Sequence, residues 1–584
     1  MSLLQNDRHR PRAARRLLRP AVVAAGVAMA AGTIAAPAGA VGLGPQGQAP
    51  IPSTATGASV AAPTVTGPVA STTPVGDPAH GYPFLATDVD LASAGYVEQE
   101  FFISGQATRY AQSGTSTATV TSTGHPYSTR IVVRKPTDAK KFNGVVVAEW
   151  INVSNQWDQE VDWFQSHEHF LREGYAWVGV SAQRVGVHSA TGLKAWSPAR
   201  YGSLDVTAGG TINDDTLSYD IFSQAVKAVR SPAAGVDPLG SLPAPQYVIA
   251  TGHSQSAGRL ANYYNGILPL SNILDAVVLH GGGGVLRTGS TRPVFRINSE
   301  GDVASGILSV AARQQPDSPV LRSWEVAGAS HGDWKLITDY GPLRKRDIGT
   351  YPGGYPGEPQ TCALPSLSRV PQHMVQNAVY DHTVDWVAYG AQPPTAPKIT
   401  TEPAASTTVV RDGLGLALGG IRLAQHEAPL RVNSGSNTGP GFCFLDGSSL
   451  PLTDAQLAAL YPTVQSYVDE FVATTLANAA AGYIPGNFTR DPAWYSDLRE
   501  LIEEHAAAGR IAGHVEASLL DRLDRAERLG LSGSESRTAG YLQHLVDRAR
   551  NQIKGDAAAR EAVVRSATAL IALLDAVDGT ANEG

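Results

Sequence analysis

The stretch Thr251-Gly252-His253-Ser254-Gln255-Ser256-Ala257-Gly258 places one serine between small residues two positions before it and two after. A serine hydroxyl attacks a carbonyl carbon only when a base takes its proton, and a sharp strand-to-helix turn is what lifts such a side chain clear of a sheet. The turn crowds the backbone, so its flanking positions must be small. Gly252 meets that demand, and Ser256 stands where a second glycine is usual. The apolar run Tyr247-Val248-Ile249-Ala250 before the turn reads as a strand, and Ser256 to Asn265 after it reads as a helix. Ser254 is the expected nucleophile.

The base is expected after the last strand of the sheet. His331 closes Gly328-Ala329-Ser330-His331, directly after the apolar Trp324-Glu325-Val326. The acid that orients it should follow the strand Val294-Phe295-Arg296-Ile297, where Glu300 and Asp302 both stand. Asp302, in the turn just past the strand, is preferred, and Glu300 takes the role if the strand ends earlier. An order of serine, acid and histidine along the chain suits a parallel α/β sheet and differs from chymotrypsin and subtilisin. Acyl transfer also needs preorganised N–H donors for the oxyanion, each contributing roughly 3–4 kcal/mol of barrier lowering. The N–H of Gln255 is one candidate, and Trp150, Ile151 or Asn152 the source of the other, in the loop after Val145-Val146-Val147-Ala148. His280-Gly281-Gly282-Gly283-Gly284 follows the wrong strand for an oxyanion loop and reads as a flexible turn near the site. Glu149 reads as half of a structural ion pair.

These residues need a frame. Glu100 to Ile103, Ala118 to Val120 and Thr129 to Val133 have the aromatic and β-branched character of antiparallel strands. Beyond them, short apolar runs at 145–148, 175–180, 247–250, 276–279, 294–297 and 324–326 alternate with helical segments at 164–173 and 220–229. That alternation predicts a mainly parallel sheet covered by helices on both faces. From Trp494 onward, leucine- and alanine-rich stretches separated by glycine breaks predict a small three-helix bundle.

At 584 residues more than one unit is expected. The basic cluster Arg8 to Arg19, the apolar run Ala21 to Ala36 and the small site Ala38-Gly39-Ala40 have the three parts of a secretory signal peptide, with cleavage after Ala40. Residues 41–80, rich in Pro, Thr and Ala, are expected to be a disordered linker. The hydrolytic domain is expected over 81–490 and the helical module over 496–580. Cys362 and Cys443, with no metal-ligand spacing, are expected to form a disulfide outside the cell. A formal charge of −7 and a pI near 6.1 argue against a nucleic-acid partner. No later segment is apolar enough for a membrane span. No metal or organic cofactor is implied.

Over residues 94 to 485 the chain resembles the bacterial proteins labelled alpha/beta hydrolase domain-containing. The resemblance is carried by Tyr127 to Arg130, Val147 to Ser154, Arg200 to Leu204, Gly252 to Arg259 and Trp324 to His331. It implies the α/β-hydrolase fold and a serine-hydrolase arrangement on Ser254 and His331, with the acid at Glu300 or Asp302. Leu498 to Val577 resembles the FIMAH module of secreted bacterial enzymes, which implies an accessory role, with an unknown cell-surface or protein partner. Together these readings predict a secreted carboxylic-ester hydrolase acting on a small-molecule or polymeric ester through an acyl-enzyme. An acyltransferase or peptidase could use the same residues, and a binding protein could use the same scaffold.

Overall fold

Strands buried on both faces are built mainly of apolar residues, and the central strands here are, their few buried polar side chains such as Glu149, Arg296 and Glu325 being hydrogen-bonded within the fold. The structure is a computed structural model that describes residues 48–308, 310–349 and 362–581. Its sheet contains β1 (Thr64–Thr66), β2 (Tyr96–Ala111), β3 (Thr119–Pro136), β4 (Val145–Trp150), β5 (Ala176–Val180), β6 (Tyr247–His253), β7 (Ala276–His280), β8 (Val294–Ser299) and β9 (Leu321–Val326). Their order is β1-β2-β3-β5-β4-β6-β7-β8-β9. The first four in that order pair antiparallel and the rest parallel. Every residue of β4 to β9 is buried, the condition under which a parallel sheet is stable.

Helices flank this sheet. They include α1 (Val161–Glu173), α2 (Ser218–Arg230), α3 (Gln255–Asn262), α4 (Trp334–Asp347) and α5 (Gln372–Tyr389). Beyond them α6 (Val464–Ala480) leads into the C-terminal helices α7 (Ala493–Ala507), α8 (Gly513–Leu531), α9 (Glu535–Gln552) and α10 (Ala557–Ala581). The three helices expected from the leucine pattern are α8 to α10, and α7 precedes them. Leu519, Leu523, Leu542, Leu545 and Leu574 fill their common core.

The described part of the 41–80 segment is not a free linker, which corrects the expectation from composition. Thr64–Thr66 adds an edge strand to β2. Ile51 N–H donates to Ala388 O at 2.7 Å, and Val69 N–H to Glu100 O at 2.7 Å. Arg230 Nε reaches Ala55 O at 2.7 Å, and Lys227 Nζ reaches Gly57 O at 3.1 Å. The segment is held through its backbone by polar groups of the domain, so its lack of large apolar residues does not leave it unattached. The expected signal peptide, its site after Ala40 and residues 41–47 lie outside the described residues.

Cys362 and Cys443 are joined in a disulfide with Cα atoms 5.6 Å apart. Among the described residues no helix is long and apolar enough to cross a membrane.

Candidate active site

Strand β6 ends at His253, α3 begins at Gln255, and Ser254 is the single residue between them. Its backbone sits at φ 59° and ψ −114°, a conformation that costs a residue with a Cβ on the order of 1–3 kcal/mol. The neighbours enforce it. Ser254 N–H donates to His280 O at 2.8 Å, Gly258 N–H to Ser254 O at 3.2 Å, and Asn152 Nδ2 to His253 O at 2.8 Å. The turn has no spare room: a Cβ on Gly252 would lie 3.0 Å from that of Ser256 and 3.1 Å from Leu260 Cδ1. This is why Ser256, small and fully buried, can stand at the second small position. Ser254 itself is half-buried and so open to solvent.

Asp302 and His331 meet. Asp302 Oδ1 lies 2.5 Å from His331 Nδ1, with both side chains buried. The other carboxylate oxygen accepts Ser299 N–H at 2.6 Å, while Asp302 N–H donates to Ser299 Oγ at 3.0 Å, a reciprocal cap on the short helix Glu300–Ala304. Burial alone would raise the Asp302 pKa, but the His331 imidazole and the Ser299 bonds hold it below the ordinary carboxylate range. With Nδ1 turned to the carboxylate, Nε2 of His331 is the nitrogen left to take a proton.

Glu300 is occupied elsewhere. Its Oε2 accepts Gly328 N–H at 2.7 Å, and Oε1 accepts Arg411 Nη2 at 2.6 Å, Ser434 Oγ at 3.1 Å and Gly435 N–H at 3.1 Å. It braces the turn leading to His331. The strand runs through Ser299, so Glu300 opens the following helix and its side chain points away from the histidine.

The loop after β4 differs from expectation. Asn152 N–H donates to Gln159 O at 3.0 Å and Ile151 N–H to Val180 O at 3.4 Å. Trp150 is still in the strand, stacked on Phe222 with ring centres 4.7 Å apart. The backbone donors of Ile151 and Asn152 are thus spent on the fold, and Asn152 serves the turn through its side-chain amide. Gln255 N–H, at the first position of α3, belongs to the first-turn donors that have no partner within the helix.

The glycine run after β7 is no slack turn. A Cβ on Gly281 would sit 3.0 Å from His253 Nε2 and 3.3 Å from His331 Cε1, and one on Gly282 would sit 3.0 Å from Ser254 O. Gly281 also has φ +60°. Side chains are excluded because the loop lies against the serine and the histidine. Sequence reading missed His253, whose Nε2 donates to His331 O at 3.2 Å and whose ring lies 4.4 Å from those of both His280 and His331. Burial, then the two neighbouring imidazoles, lowers its pKa well below the usual value, so the ring is neutral and can donate as that bond requires. His280 Nδ1 in turn donates to Asp162 Oδ1 at 3.0 Å.

Among the described residues Glu149 makes no ion pair. It accepts Asp162 N–H, Trp163 N–H and Trp177 Nε1–H at 3.0–3.1 Å, capping the start of α1. Burial pushes its pKa well up. Trp196, Tyr201, Trp334 and Tyr340 pack against the domain: Trp196 stacks on His80, and Tyr340 accepts from Trp157 Nε1 at 2.5 Å. His167, Glu168 and Asp339 approach one another as metal ligands could. Lys335 Nζ already sits between the two carboxylates at 2.7 and 2.6 Å, making the group a salt cluster.

Residues 65–490 match the family model described as Alpha/beta hydrolase domain, and residues 495–572 match that of the FIMAH domain. Similar solved structures include an a/b serine hydrolase without lid from Xanthomonas campestris, 14% identical, covering 42% of this chain and 93% of that one, with a TM-score of 0.22. A CE15 glucuronoyl esterase from Teredinibacter turnerae T7901 is 11% identical, covering 43% and 74% respectively, with a TM-score of 0.23. A protein from Capnocytophaga ochracea DSM 7271 is 11% identical, covering 76% and 94%, with a TM-score of 0.21. No curated protein sequence matches the chain.

Proposed function

Because the chain belongs to the Alpha/beta hydrolase domain family, we propose that it is a serine hydrolase that cleaves carboxylic esters through an acyl-enzyme. The observation that carries this reading is the Asp302–His331 contact behind a strained, solvent-reachable Ser254.

In this mechanism Ser254 Oγ attacks the ester carbonyl as its proton passes to His331 Nε2. Asp302 keeps the imidazole in the tautomer with Nδ1 protonated and stabilises the imidazolium that forms. Negative charge grows on the carbonyl oxygen, where Gln255 N–H and the N-terminal dipole of α3 favour it. Collapse expels the alcohol, which takes the proton from His331. Water then attacks the acyl group with the same base, releasing the acid and restoring the serine. The strained backbone at Ser254 keeps the hydroxyl presented without a conformational search, so its cost is met during folding and not during the reaction.

We place this activity outside the cell, a reading supported by the disulfide between Cys362 and Cys443 and by the signal-peptide pattern of residues 1–40. A fluorophosphonate probe followed by peptide mapping tests the mechanism. Labelling confined to Ser254, abolished in Ser254→Ala, is the expected result. A folded wild-type protein that takes no label is a binding protein on a hydrolase scaffold.

A further inference from the structure

A cavity lies away from Ser254, where the segment 425–471 meets helices α7 and α10. It encloses 590 Å³, within the range of roughly 300–1,000 Å³ typical of small-molecule sites. Its apolar wall comes from both sides of the seam: Leu430, Leu457, Tyr461 and Phe471 from one, Trp494 and Leu498 from the other. We propose that this cavity is a binding site for a neutral, mainly apolar small molecule that carries a hydrogen-bonding oxygen, and that the C-terminal helices serve to complete it.

The charge pattern sets the class of ligand. Of the four arginines that line the cavity, Arg369, Arg431 and Arg565 are each matched by a carboxylate within the wall. Arg369 pairs with Glu500, Arg431 Nη1 meets Glu504 Oε2 at 2.8 Å, and Arg565 Nη2 meets Glu561 Oε1 at 2.8 Å. Asp454 and the fourth arginine, Arg510, also line it and are exposed to solvent. A charged ligand would have to break an existing pair or remain at these exposed groups, whereas a neutral one enters without that loss. The aromatic and leucine side chains then supply the affinity through burial.

Asp497 and His505 offer polar atoms for recognition. Asp497 has one weak partner, Gln425 Nε2 at 3.4 Å, and burial pushes its pKa up to about 7, so its protonated form can donate to a ligand oxygen. His505 is 8% exposed, and among the described residues neither of its ring nitrogens has a hydrogen-bond partner. Burial and then Arg510 lower its pKa, which leaves a neutral ring with one donor and one acceptor. Buried groups of this kind are costly when unsatisfied, and a polar atom on a ligand would relieve that cost.

One wall is thin. The helix Asp454–Leu460 contains no buried residue, although Leu457 and Ala458 line the cavity. Leu457 packs partly buried against the core, and a filled cavity would cover more of its side chain.

The test uses the full chain and Nile red, a neutral, apolar dye with acceptor oxygens. Saturable binding with one site per chain is expected, with a blue-shifted emission. Filling the cavity by Ala562→Trp on α10 should weaken binding at least tenfold. Ala458→Trp should do the same from the exposed helix, where the added ring disturbs no core if the first variant folds poorly. Ser254→Ala and fluorophosphonate treatment should leave the affinity unchanged, so the outcome does not depend on the ester-hydrolase reading. Absence of saturable binding would overturn the proposal, as would equal affinity in Ala458→Trp or competition by active-site labelling. Equally tight binding of the anionic 1-anilinonaphthalene-8-sulfonate would overturn the neutral class.

Discussion

Asp302 Oδ1 stands 2.5 Å from His331 Nδ1 while its second oxygen holds Ser299 N–H at 2.6 Å, so one carboxylate both orients the imidazole and is itself fixed by the end of β8. Asp302→Asn keeps the shape but presents an amide that favours the wrong imidazole tautomer. Ester turnover should fall by about 10³–10⁴ in kcat with little change in KM, measured by steady-state kinetics on an activated ester. A fall of less than tenfold would remove Asp302 from the proposed mechanism.

Glu300 gives the opposite outcome. Its carboxylate accepts from Gly328, Arg411, Ser434 and Gly435, and all of these contacts are structural. Glu300→Gln retains an acceptor but loses the charge facing Arg411, which is itself 30% exposed. Stability should drop by about 1–3 kcal/mol in urea titration, while kcat of the folded fraction stays within a few-fold of wild type. A thousandfold loss of kcat in a stable Glu300→Gln protein would make it the acid.

The contrast between these two carboxylates shows how far the sequence could be read. The strand–turn–helix around Ser254 and the strand before His331 were legible because buried parallel strands are short apolar runs. Choosing between Glu300 and Asp302 depended on whether β8 ends before or after Ser299, and boundaries one residue apart send neighbouring side chains in different directions. Gly281 and His253 were hidden for another reason: their roles arise where β6, β7 and the His331 loop converge, and no local pattern reports that convergence. The 48–80 segment misled because it is held through backbone hydrogen bonds to Lys227, Arg230 and Ala388, which composition does not register.

A substitution at Gly281 tests that convergence directly. Gly281→Ala would place a methyl 3.0 Å from His253 Nε2 and 3.3 Å from His331 Cε1, at φ +60°. The strain and the displacement of two imidazoles should lower kcat at least a hundredfold, with a stability loss on the order of 1–3 kcal/mol. Gly289→Ala, with nothing within 4 Å but φ +77°, is the control: it shares the backbone strain and should keep its kcat. Equal kcat in the two variants would mean that the packing at Gly281 does not matter to the reaction.

The disulfide clamps the segment that backs the histidine loop. Cys443 lies two residues from Leu445, whose carbonyl accepts Gly332 N–H at 3.0 Å, next to His331. Opening a link between residues 81 apart restores about 4.5 kcal/mol of chain entropy to the unfolded state in the loop-closure model. Replacing both cysteines by serine should therefore lower the thermal midpoint by several degrees, and calorimetry with and without reductant checks it. A wild-type protein whose midpoint does not respond to reductant would show that the link contributes nothing.

His373 makes stability depend on pH in a direction that is easily checked. It is fully buried, and although burial favours the neutral ring, Asp491 and Asp333 on either side raise its pKa to about 10. Its Nε2 lies 3.0 Å from Asp491 Oδ1, and its Nδ1 lies 3.4 Å from Asp333 Oδ1. A histidine whose folded pKa exceeds its unfolded value of about 6.5 stabilises fully below that value. The contribution is lost as pH rises through the folded pKa, at up to roughly 1.4 kcal/mol per pH unit. Unfolding free energy should thus decline between pH 7 and 10 more steeply in wild type than in His373→Gln, as read from urea titrations at each pH. Asp333 stands two residues after His331, so the same rise in pH should loosen the histidine loop, and kcat should fall before global unfolding begins. Parallel pH profiles of stability in the two proteins would mean that the imidazolium is not held between these carboxylates.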